Sequence, residues 1–488
     1  MLKKYLLVTG ILFNAVILYS VFSFTERLAQ SSSLPPVLMK TAAKLADYPM
    51  TEPVSGVVSK IATTLESPVY HWKHFDKERW PMVGSNFQAP PVSILPTSKK
   101  IYVTDTLELE KALKDVKPGT TIVVSDGEYE LNSKRIQTSN IPPTQLLPVI
   151  LVAENPGNVT LKMNSLEGIF LNQPYWTISG FQFVGACNNH NSCEHAIHIV
   201  GNAHETKIIN NDFVDFNAAI KVNRGNNYYP DNGQVEYNHF YFTKPRSTKY
   251  SVTPINIDHA NSWTVSHNII RDFIKLEGNR ISYGAFMKGG ANDGVFENNL
   301  VICNSTEKQY TTATIGLSIG GGGMNDIRDG QSYQANRTII RNNIILHCSD
   351  VGIYVNNGKD SMINNNTMYN TLGIDLRFKD SSAVVVNNIF SGHLKERDGA
   401  QILSSIGNKI FPRDFFTNGE ELNHVFLSPD IGNLKIIDPD FDIHSEAVPY
   451  PLNNQINVVD FCGKAVTEKD QFIGAFNERN GCFPEDTN

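Results

Sequence analysis

The sequence lacks the features that mark several common classes of protein. None of its six cysteines forms a Cys-x-x-Cys pair, so neither a zinc site nor a redox dithiol is supported. It has no long run of one charge sign, and its formal net charge of −7 argues against nucleic acid as a partner, because phosphate binding needs a basic surplus. The net charge is compatible with an anionic sugar as a partner, since an acidic protein can carry a local basic groove. Apolar residues make up 41% of the chain, enough for a large core.

Only the N-terminal stretch is apolar enough to cross a membrane. Lys3 and Lys4 precede an almost wholly apolar run over residues 5–24. This pattern predicts an export signal over 1–24, which is either a signal peptide cleaved near Ser23 or a retained membrane anchor formed by 5–24. Both alternatives predict an exported protein that is periplasmic, membrane-anchored or secreted.

An oxidising compartment favours disulfides among the six cysteines. Cys187 and Cys193 close a short loop, and Cys462 and Cys482 lie near the C-terminus, so both pairs are candidate disulfides. The remaining two, Cys303 and Cys348, follow equivalent points of adjacent repeats and are expected to stack in the core instead.

Residues 25–97 contain many prolines and are interpreted as a linker or N-terminal extension with short helices. Asp105-Thr106 then predicts the start of a helix over 107–114. A helix placed before the first repeat would cover the open end of a solenoid, so we expect an N-terminal capping helix.

From about residue 150 to 390 the sequence repeats a short β-rich run, an Asn-rich corner and further apolar runs. The corners are at 210–211, 267–268, 298–299, 342–343, 365–366 and 387–388. The last two spacings are 23 and 22 residues, and longer earlier ones indicate loop insertions. A period near 22 predicts an all-β parallel β-helix with three strands in each coil, over residues 98–390. Residues 391–488 lose the repeat and are expected to form C-terminal coils and a cap, closed by a strand pair over 458–463 and 473–476.

The asparagines at the corners have a physical reason. Asn tolerates the left-handed backbone of a tight turn, and its amide can bond to the Asn of the next coil. We therefore interpret these residues as structural.

Counting back from each corner places a set of polar side chains in one column on the outer face. The column contains Lys221 and Arg224, then Asp258 and His259, Lys288, the glycines at 320–323, Asn356 and Asn357, and finally Arg377 and Lys379. Such a line of cations and amides suits a polyuronate, whose carboxylates repeat along the chain. The glycines at 289–290 and 320–323 are expected either to admit a sugar chain close to the backbone or to form flexible turns.

Cleavage of a uronate by β-elimination needs a group that neutralises the carboxylate, a base that takes the C5 proton and an acid that protonates the leaving oxygen. Lys288 is the predicted base, its pKa lowered by burial and by cations such as Arg377, and His259 is the competing candidate. Arg377 is expected to stabilise the developing negative charge. Predicted substrate-binding residues are Asp258, Lys221, Arg224, Asn356 and Lys379. The structural alternatives are a solvated Lys288, a His259 bonded to Asp258, and an Arg377 paired with Asp375 or Asp380.

The stretch from Tyr102 to about Phe183 resembles the start of chondroitinase B and the related alginate lyases, and a weaker resemblance continues to about Phe390. The matching phrases are Asp115-Val116-Lys117-Pro118-Gly119, Val124-Ser125-Asp126-Gly127-Glu128-Tyr129, Leu147-Pro148-Val149-Ile150, Ala153-Glu154-Asn155-Pro156-Gly157 and Ile178-Ser179-Gly180-Phe181. The resemblance implies a right-handed parallel β-helix and polysaccharide lyase activity.

Lyases of this family use a Lys and an Arg on neighbouring coils, with calcium held beside them by acidic and amide ligands. In one alignment Lys288 matches the family's lysine, but Gly320 stands where the arginine belongs. In the other, Arg377 matches the arginine, but Asn357 replaces the lysine. Neither alignment reproduces the acidic calcium ligands, so calcium is implied by the resemblance alone and no metal ligand is assigned.

The leading hypothesis is a monomeric polysaccharide lyase that acts on a uronate-containing acidic polysaccharide. A uronate C5-epimerase on the same fold is the second enzyme hypothesis, because Asp258-His259 resembles a phrase of that class. A glycoside hydrolase would need two carboxylates, which Asp258, Asp293, Asp375 and Asp380 could supply. The non-enzyme alternative is a protein that binds or assembles an exopolysaccharide.

Overall fold

A computed structural model of the protein describes residues 38, 41–42, 45, 51–65, 89–93, 99–131, 135–306, 310, 312–322, 326–412, 421–444, 446–452, 455 and 457–482. The predicted export signal over 1–24 and most of the predicted extension over 25–97 lie outside the described residues. Within the described residues, the search for a membrane-spanning helix finds none of sufficient length and hydropathy.

The described chain consists mainly of short strands. Its helices are α1 (Glu52–Leu65), α2 (Thr106–Asp115) and α3 (Glu421–Val425), with 3₁₀ turns at Arg328–Gly330 and Pro429–Ile431. In chain order the strands are β1 Lys99–Val103, β2 Thr120–Val124, β3 Gly127–Leu131, β4 Ile136–Gln137, β5 Val149–Ala153, β6 Val159–Met163, β7 Glu167–Leu171, β8 Trp176–Ser179, β9 Phe181–Gly185, β10 His195–Val200, β11 Lys207–Ile209, β12 Asp212–Val214, β13 Ile220–Asn223, β14 Gln234–Glu236, β15 His239–Tyr241, β16 Ile255–Asp258, β17 Thr264–Ser266, β18 Ile269–Arg271, β19 Ile281–Lys288, β20 Ala291–Asn292, β21 Val295–Glu297, β22 Leu300–Ile302, β23 Ala313–Gly320, β24 Ala335–Asn336, β25 Ile339–Arg341, β26 Ile344–Leu346, β27 Ile353–Asn356, β28 Gly358–Lys359, β29 Ser361–Asn364, β30 Thr367–Tyr369, β31 Gly373–Arg377, β32 Ser382–Val386, β33 Ile389–Ser391, β34 His393–Arg397, β35 Gln401–Ile406, β36 Lys409–Phe411, β37 Phe426–Ser428 and β38 Asn433–Ile436.

All but five of these strands stack into three long parallel sheets; β20, β24 and β28 form a small three-stranded ladder of their own, and β37 and β38 form an antiparallel pair. The first sheet has 12 strands, from β1 and β2 through β5 to β35; the second has 11, from β3 to β36; and the third has 10, from β4 to β34. Consecutive strands enter the first, second and third sheets in turn, so three strands make one coil. Parallel strands joined by such a crossover are connected with a right-handed sense. The protein is therefore the right-handed parallel β-helix predicted from its sequence.

Side chains alternate between the inside and the outside of each coil. In the third sheet, Ile257, Met287 and Ile319 are register partners on β16, β19 and β23, and all three are fully buried in the main core. The residues next to them in sequence point outward. This alternation fixes which side chains can form a site on the outer wall.

The turn from the first to the second sheet is a two-residue corner whose two positions have separate roles. The first residue takes the left-handed conformation, as do Asn298 (φ 55°) and Asn342 (φ 53°). The second is an Asn whose Nδ2 donates to Oδ1 of the equivalent Asn in the next coil, at 2.9 to 3.1 Å. This ladder joins Asn211, Asn238, Asn268, Asn299, Asn343, Asn366, Asn388 and Asn408. The structural role predicted for the corner asparagines is confirmed, and Asn238 and Asn408 extend the series.

The helix expected over 107–114 is α2. The Asp105 side chain accepts a hydrogen bond from the Glu108 backbone N–H at 2.9 Å, which satisfies one of the free donors at the helix start. Leu109 and Leu113 are fully buried in the main core, where α2 packs against the strands of the first coil.

The stacked strands continue beyond residue 390, the boundary predicted from the sequence, as far as β36. The described residues from 421 to 482, here called the C-terminal segment, then pack along the outer face of the second sheet. Its buried Leu422, Phe426 and Phe461 contact outward-facing second-sheet residues such as Leu300 and Ile344. The segment predicted as a cap therefore lies along the side of these coils.

The first corner residues hold this segment in place. The Nδ2 groups of Asn298, Asn342, Asn365 and Asn387 donate to backbone carbonyls at 460, 459, 472 and 448, at 3.0, 2.7, 2.7 and 2.8 Å. The prediction of a strand pair over 458–463 and 473–476 was wrong. These residues form a turn, bends and irregular backbone, with an isolated bridge between Val459 and Ala465. A hydrogen bond of 2.9 Å from the Phe461 N–H to the Ala475 carbonyl connects the two stretches.

The structure contains three disulfides. Cys187–Cys193 and Cys462–Cys482 are paired as predicted. Cys303 and Cys348 also form a disulfide, which corrects the expectation that they merely stack in the core. They follow β22 and β26, equivalent strands of adjacent coils, and this brings their Cα atoms to 4.8 Å, within disulfide reach.

Candidate active site on the third sheet

The outer face of the third sheet brings several predicted site residues into one row. Asp258 is the register partner of Lys288, and Asn356 is the partner of both Gly320 and Arg377. Met287 and Ile319 are also register partners, and the residues that follow them are Lys288 and Gly320. Lys288 and Gly320 therefore lie side by side, and the row is continuous. We call Asp258, Lys288, Gly320, Asn356 and Arg377 the polar row. The shared wall predicted for these side chains is present.

Lys221 lies beside this row, on β13. Its Nζ forms an ion pair with Asp258 Oδ2 and donates to Asn256 Oδ1 at 2.8 Å. The Lys221 and Asp258 side chains are only 17% and 5% exposed, so the pair is largely removed from water. The Asp258 Oδ1 atom is buried and has no partner among the described residues. Asp258 is therefore neutralised by the preceding coil, and it leaves one oxygen uncommitted.

Lys288 has the environment of a base. Its Nζ lies 4.5 Å from the centre of the Phe286 ring, and it forms no ion pair with a described residue. Burial lowers the pKa of Lys288, and the charge of Lys221 lowers it further, while Asp258 acts in the opposite direction. A lowered pKa increases the neutral fraction of the amine at a given pH, which is the form that accepts a proton. The cation that matters here is Lys221, where the sequence suggested Arg377.

Arg377 lies at the other end of the polar row, three strands from Lys288, which is about 14 Å at the usual strand spacing. Its Nε pairs with Asp398 Oδ2 at 2.5 Å, on the far side from Lys288, and this partner is neither of the two acids considered from the sequence. Nearby, the Arg397 guanidinium forms a two-point ion pair with the buried Asp375, with Nε 2.9 Å from Oδ1.

Tyr354 completes this end of the wall as the register partner of Asp375. Burial, followed by the Asp375 charge, raises the pKa of Tyr354 to about 12, so the phenol is neutral at physiological pH. Its hydroxyl can therefore donate a hydrogen bond.

Three predicted residues lie outside the row, in turns that follow the third-sheet strands. His259 Nε2 donates to the Asp326 carbonyl at 2.8 Å, so the imidazole is bonded to neither Asp258 nor Lys288. Arg224 forms an ion pair with the Asp326 carboxylate. Lys379 lies in the turn after β31. His259 and Arg224 thus both bind Asp326, a residue of the loop after β23, and are not directed at the polar row.

The glycines near the row have a structural use. Gly290 has φ 86°, and a Cβ atom there would lie 2.9 Å from the Arg328 backbone nitrogen. Gly320 has φ 79°, and its Cβ would lie 2.0 Å from the Asn356 carbonyl oxygen. The close approach expected at these glycines is therefore made by the protein's own backbone.

The sequence prediction missed a cluster on the coils before Lys221. His198 Nε2 donates to Asn223 Oδ1 at 2.6 Å, and its Nδ1 lies 3.2 Å from Glu167 Oε1. Burial lowers the pKa of His198, and Asn223 and Glu167 act in the opposite direction. His198 is the register partner of Lys221. Extending the column one coil back from Lys221 would have found it.

The described residues contain no group of three or more His, Cys, Asp or Glu side chains that could hold a metal ion. Near the polar row, the carboxylate of Asp258 is bound to Lys221, and that of Asp375 is bound to Arg397. These residues do not fit the calcium that the family resemblance implies.

The wall thus combines a half-buried amine of lowered pKa with three cations, Lys221, Arg377 and Arg397, that are each held in place by a carboxylate of the protein. Such an arrangement can bind carboxylates through the cations and accept a proton at Lys288 Nζ.

Comparison with known proteins gives two family matches. The model described as Chondroitinase B matches residues 103–314, and the model described as Periplasmic copper-binding protein (NosD) matches residues 324–425. Among curated proteins, none is detectably similar to this chain.

Several solved structures match this chain at low sequence identity. Pectate lyase Pel9A is 13% identical, with 78% of this chain and 97% of that chain covered and a TM-score of 0.53. The PL6 family polysaccharide lyase Pedsa3628 from Pseudopedobacter saltans is 14% identical, with 70% and 97% covered and a TM-score of 0.35. The A-module of mannuronan C-5 epimerase AlgE4 from Azotobacter vinelandii is 11% identical, with 67% and 96% covered and a TM-score of 0.40. The resemblance to the polysaccharide lyases of the chondroitinase B and alginate lyase type is confirmed, and the chain has their right-handed parallel β-helix.

Proposed function

We propose that the protein is a polysaccharide lyase that cleaves a uronate-containing acidic polysaccharide by β-elimination. The observation that carries this proposal is Lys288, whose pKa is lowered by burial on an outer wall lined with cations. The chondroitinase B match over residues 103–314 supports a polysaccharide lyase or an epimerase on this fold.

In the proposed reaction, neutral Lys288 Nζ takes the C5 proton of a bound uronate. The electron pair of the C–H bond forms a C4–C5 double bond, and the C4–O bond breaks. The ammonium formed on Lys288, or a water molecule, returns a proton to the leaving oxygen. Lys221 is the nearest fixed cation of the described wall that can offset negative charge developing on the uronate.

Arg377 has a different place in this scheme from the one expected from the sequence. Three strand spacings separate it from Lys288, and its guanidinium turns toward Asp398. We assign it to the carboxylate of another uronate along the same chain. Asn356, between the two, offers an amide to the sugar hydroxyls, and its buried Oδ1 has no partner among the described residues.

An epimerase would share the proton abstraction but would return a proton to the opposite face of C5. His259, the sequence candidate for that chemistry, is bonded to the Asp326 carbonyl, which favours the lyase. The described coils between Lys99 and Phe411 then act as the substrate-binding scaffold. The three disulfides and the match to a family described as periplasmic support an exported protein.

The test is incubation of the purified protein with a panel of polyuronates and glycosaminoglycans, following both the ultraviolet absorbance of unsaturated uronate and chain length. A rising signal from unsaturated sugar is expected. Shortening without that signal would instead indicate a hydrolase, inverted C5 configuration at constant length an epimerase, and binding alone a non-catalytic protein.

Lys288→Ala is expected to abolish the signal while leaving the circular dichroism spectrum unchanged. Lys162→Ala is the matched control, because Lys162 is an outward lysine of the second sheet paired with Glu128 and remote from the row. Full activity in Lys288→Ala would remove Lys288 from the mechanism.

A further inference from the structure

A short loop, residues 326–331, is tied across the ends of the strands that carry Lys221, Asp258 and Lys288. We call it the strap. Its Arg328 guanidinium forms a two-point ion pair with Asp231, with Nη1–Oδ1 at 2.6 Å and Nη2–Oδ2 at 3.0 Å. The same group lies 3.9 Å from the centre of the Tyr229 ring. Both partners belong to the loop after β13, three coils before the strap, which follows β23.

The strap also contacts the backbone next to the polar row. Arg328 Nη1 donates to the His259 carbonyl at 3.1 Å, and the Arg328 backbone N–H donates to the Gly289 carbonyl at 2.9 Å. The His259 backbone N–H in turn donates to the Lys288 carbonyl at 2.9 Å. Arg328 therefore bonds to the residue after Asp258 and to the residue after Lys288.

The chemistry of these contacts suits a fixed clamp. An arginine holds a carboxylate with two parallel bonds and stacks on an aromatic ring, so its orientation is restricted in both directions. The Arg328 side chain is 13% exposed, which reduces screening of the ion pair by water. Gly290 lets the strap backbone approach, since any side chain there would meet Arg328.

We propose that Arg328 is a positioning residue, which locks the strap to Asp231 and thereby fixes the backbone that aims the Lys288 amine along the third-sheet face. This inference rests on the proposed function for its kinetic consequence only. Loss of the clamp leaves every atom of Lys288 present but lets its strand end move. Displacement of a reacting group by about 1 Å can lower a rate about 100-fold.

The experiment compares Arg328→Gln and Asp231→Asn, which break the clamp from either side, with Arg337→Gln. Arg337 forms the same kind of two-point pair with Asp293, at 2.7 and 2.8 Å, and among the described residues neither side chain is hydrogen-bonded to the strap. Both clamp variants are expected to lower kcat at least about 10-fold with little change in KM, while Arg337→Gln keeps the wild-type values. Wild-type kcat in both clamp variants would overturn the inference.

A second measurement does not depend on turnover. Lysines of the folded protein are methylated with ¹³C-labelled formaldehyde, the Lys288 signal is assigned with Lys288→Arg, and its titration is followed by NMR. Opening of the strap should admit water and move the Lys288 titration toward that of an ordinary lysine in both clamp variants only. An unchanged Lys288 titration in both clamp variants overturns the positioning role even if the wild-type protein proves inactive on every polysaccharide. A shifted titration together with an inactive wild type would retain the clamp and reject only the lyase.

Discussion

Asp258 and Lys288 are register partners on neighbouring strands, yet the Asp258 carboxylate forms its ion pair with Lys221 on the opposite side. Lys288 is therefore left without an ion-pair partner in the described part of the chain. The two neighbours act on it in opposite directions, since Asp258 raises its pKa and Lys221 lowers it. The wall thus contains a lysine whose protonation can be tuned from both sides.

This arrangement predicts opposite pH shifts for two substitutions. In Lys221→Met a cation that lowers the pKa of Lys288 is lost, so this pKa should rise and the acid limb of the kcat/KM profile should move to higher pH. In Asp258→Asn the loss of the anion should move that limb to lower pH. The measurement is kcat/KM for lyase activity against pH. Shifts of the same sign in both variants would contradict the assignment of Lys288 as the titrating base.

The asparagine ladder should contribute strongly to stability. Asn343 Nδ2 donates to the Asn366 side chain and to the carbonyls of Phe296 and Arg341, and all of these groups are buried. Asn343→Ala leaves several buried groups without partners, and a loss of about 3 kcal/mol in the free energy of unfolding is expected. Asn408→Ala, at the partly exposed last rung, should cost about 1 kcal/mol. Urea unfolding measures both, and equal losses would contradict this account.

The disulfides should differ in value according to the length of chain they close. Cys303–Cys348 spans 45 residues and Cys187–Cys193 spans 6. Constraint of the unfolded chain predicts a stabilisation of about 4 kcal/mol for the longer loop and about 2 kcal/mol for the shorter one. Paired Cys→Ala variants, compared by urea unfolding, test the ranking. A larger loss from the short loop would show that native-state strain or packing dominates.

Removal of the C-terminal segment should expose an apolar surface. Leu300, Ile302, Ile344, Leu346 and Ile389 are nearly fully buried beneath this segment. A chain that ends after residue 412 is expected to bind a hydrophobic dye and to self-associate, because it bares a contiguous apolar patch. Light scattering and dye fluorescence measure this. A monodisperse truncated protein that binds no dye would show that the segment is dispensable for solubility.

Much of the scaffold could be predicted from local sequence patterns. The corners were visible because the residues there, such as Asn298-Asn299, must combine a left-handed backbone with an amide bond to the next coil. Asn238 was missed although Tyr237 takes the left-handed position before it, as His267 does before Asn268, because only a single Asn marks such a corner. The pairing of Cys303 with Cys348 was missed because equivalent positions on adjacent coils were taken as a sign of stacking alone, although they also bring the two sulfurs within bonding distance.

The wall could be predicted only in part, since counting from the corners gives the row but not the direction of each side chain. It placed Asp258, Lys288, Asn356 and Arg377 correctly in one row. It could not show that Asp258 turns toward Lys221 or that His259 turns toward Asp326, because both contacts depend on residues in other coils. The strap was missed for the same reason, as residues 231 and 328 are 97 positions apart.

The corners after β21, β25, β29 and β32 have a consequence for how this molecule can grow. Their first asparagines bind backbone carbonyls of the C-terminal segment at residues 460, 459, 472 and 448, so that segment is fitted to the spacing of these four coils. Duplication of a coil in this part would add about 4.8 Å to the stack, and the added corner asparagine would have no carbonyl of the C-terminal segment to bind. Duplication of a coil ahead of β18 would lengthen the solenoid and leave these four contacts intact, so this protein should tolerate an added coil better at the N-terminal end of the stack.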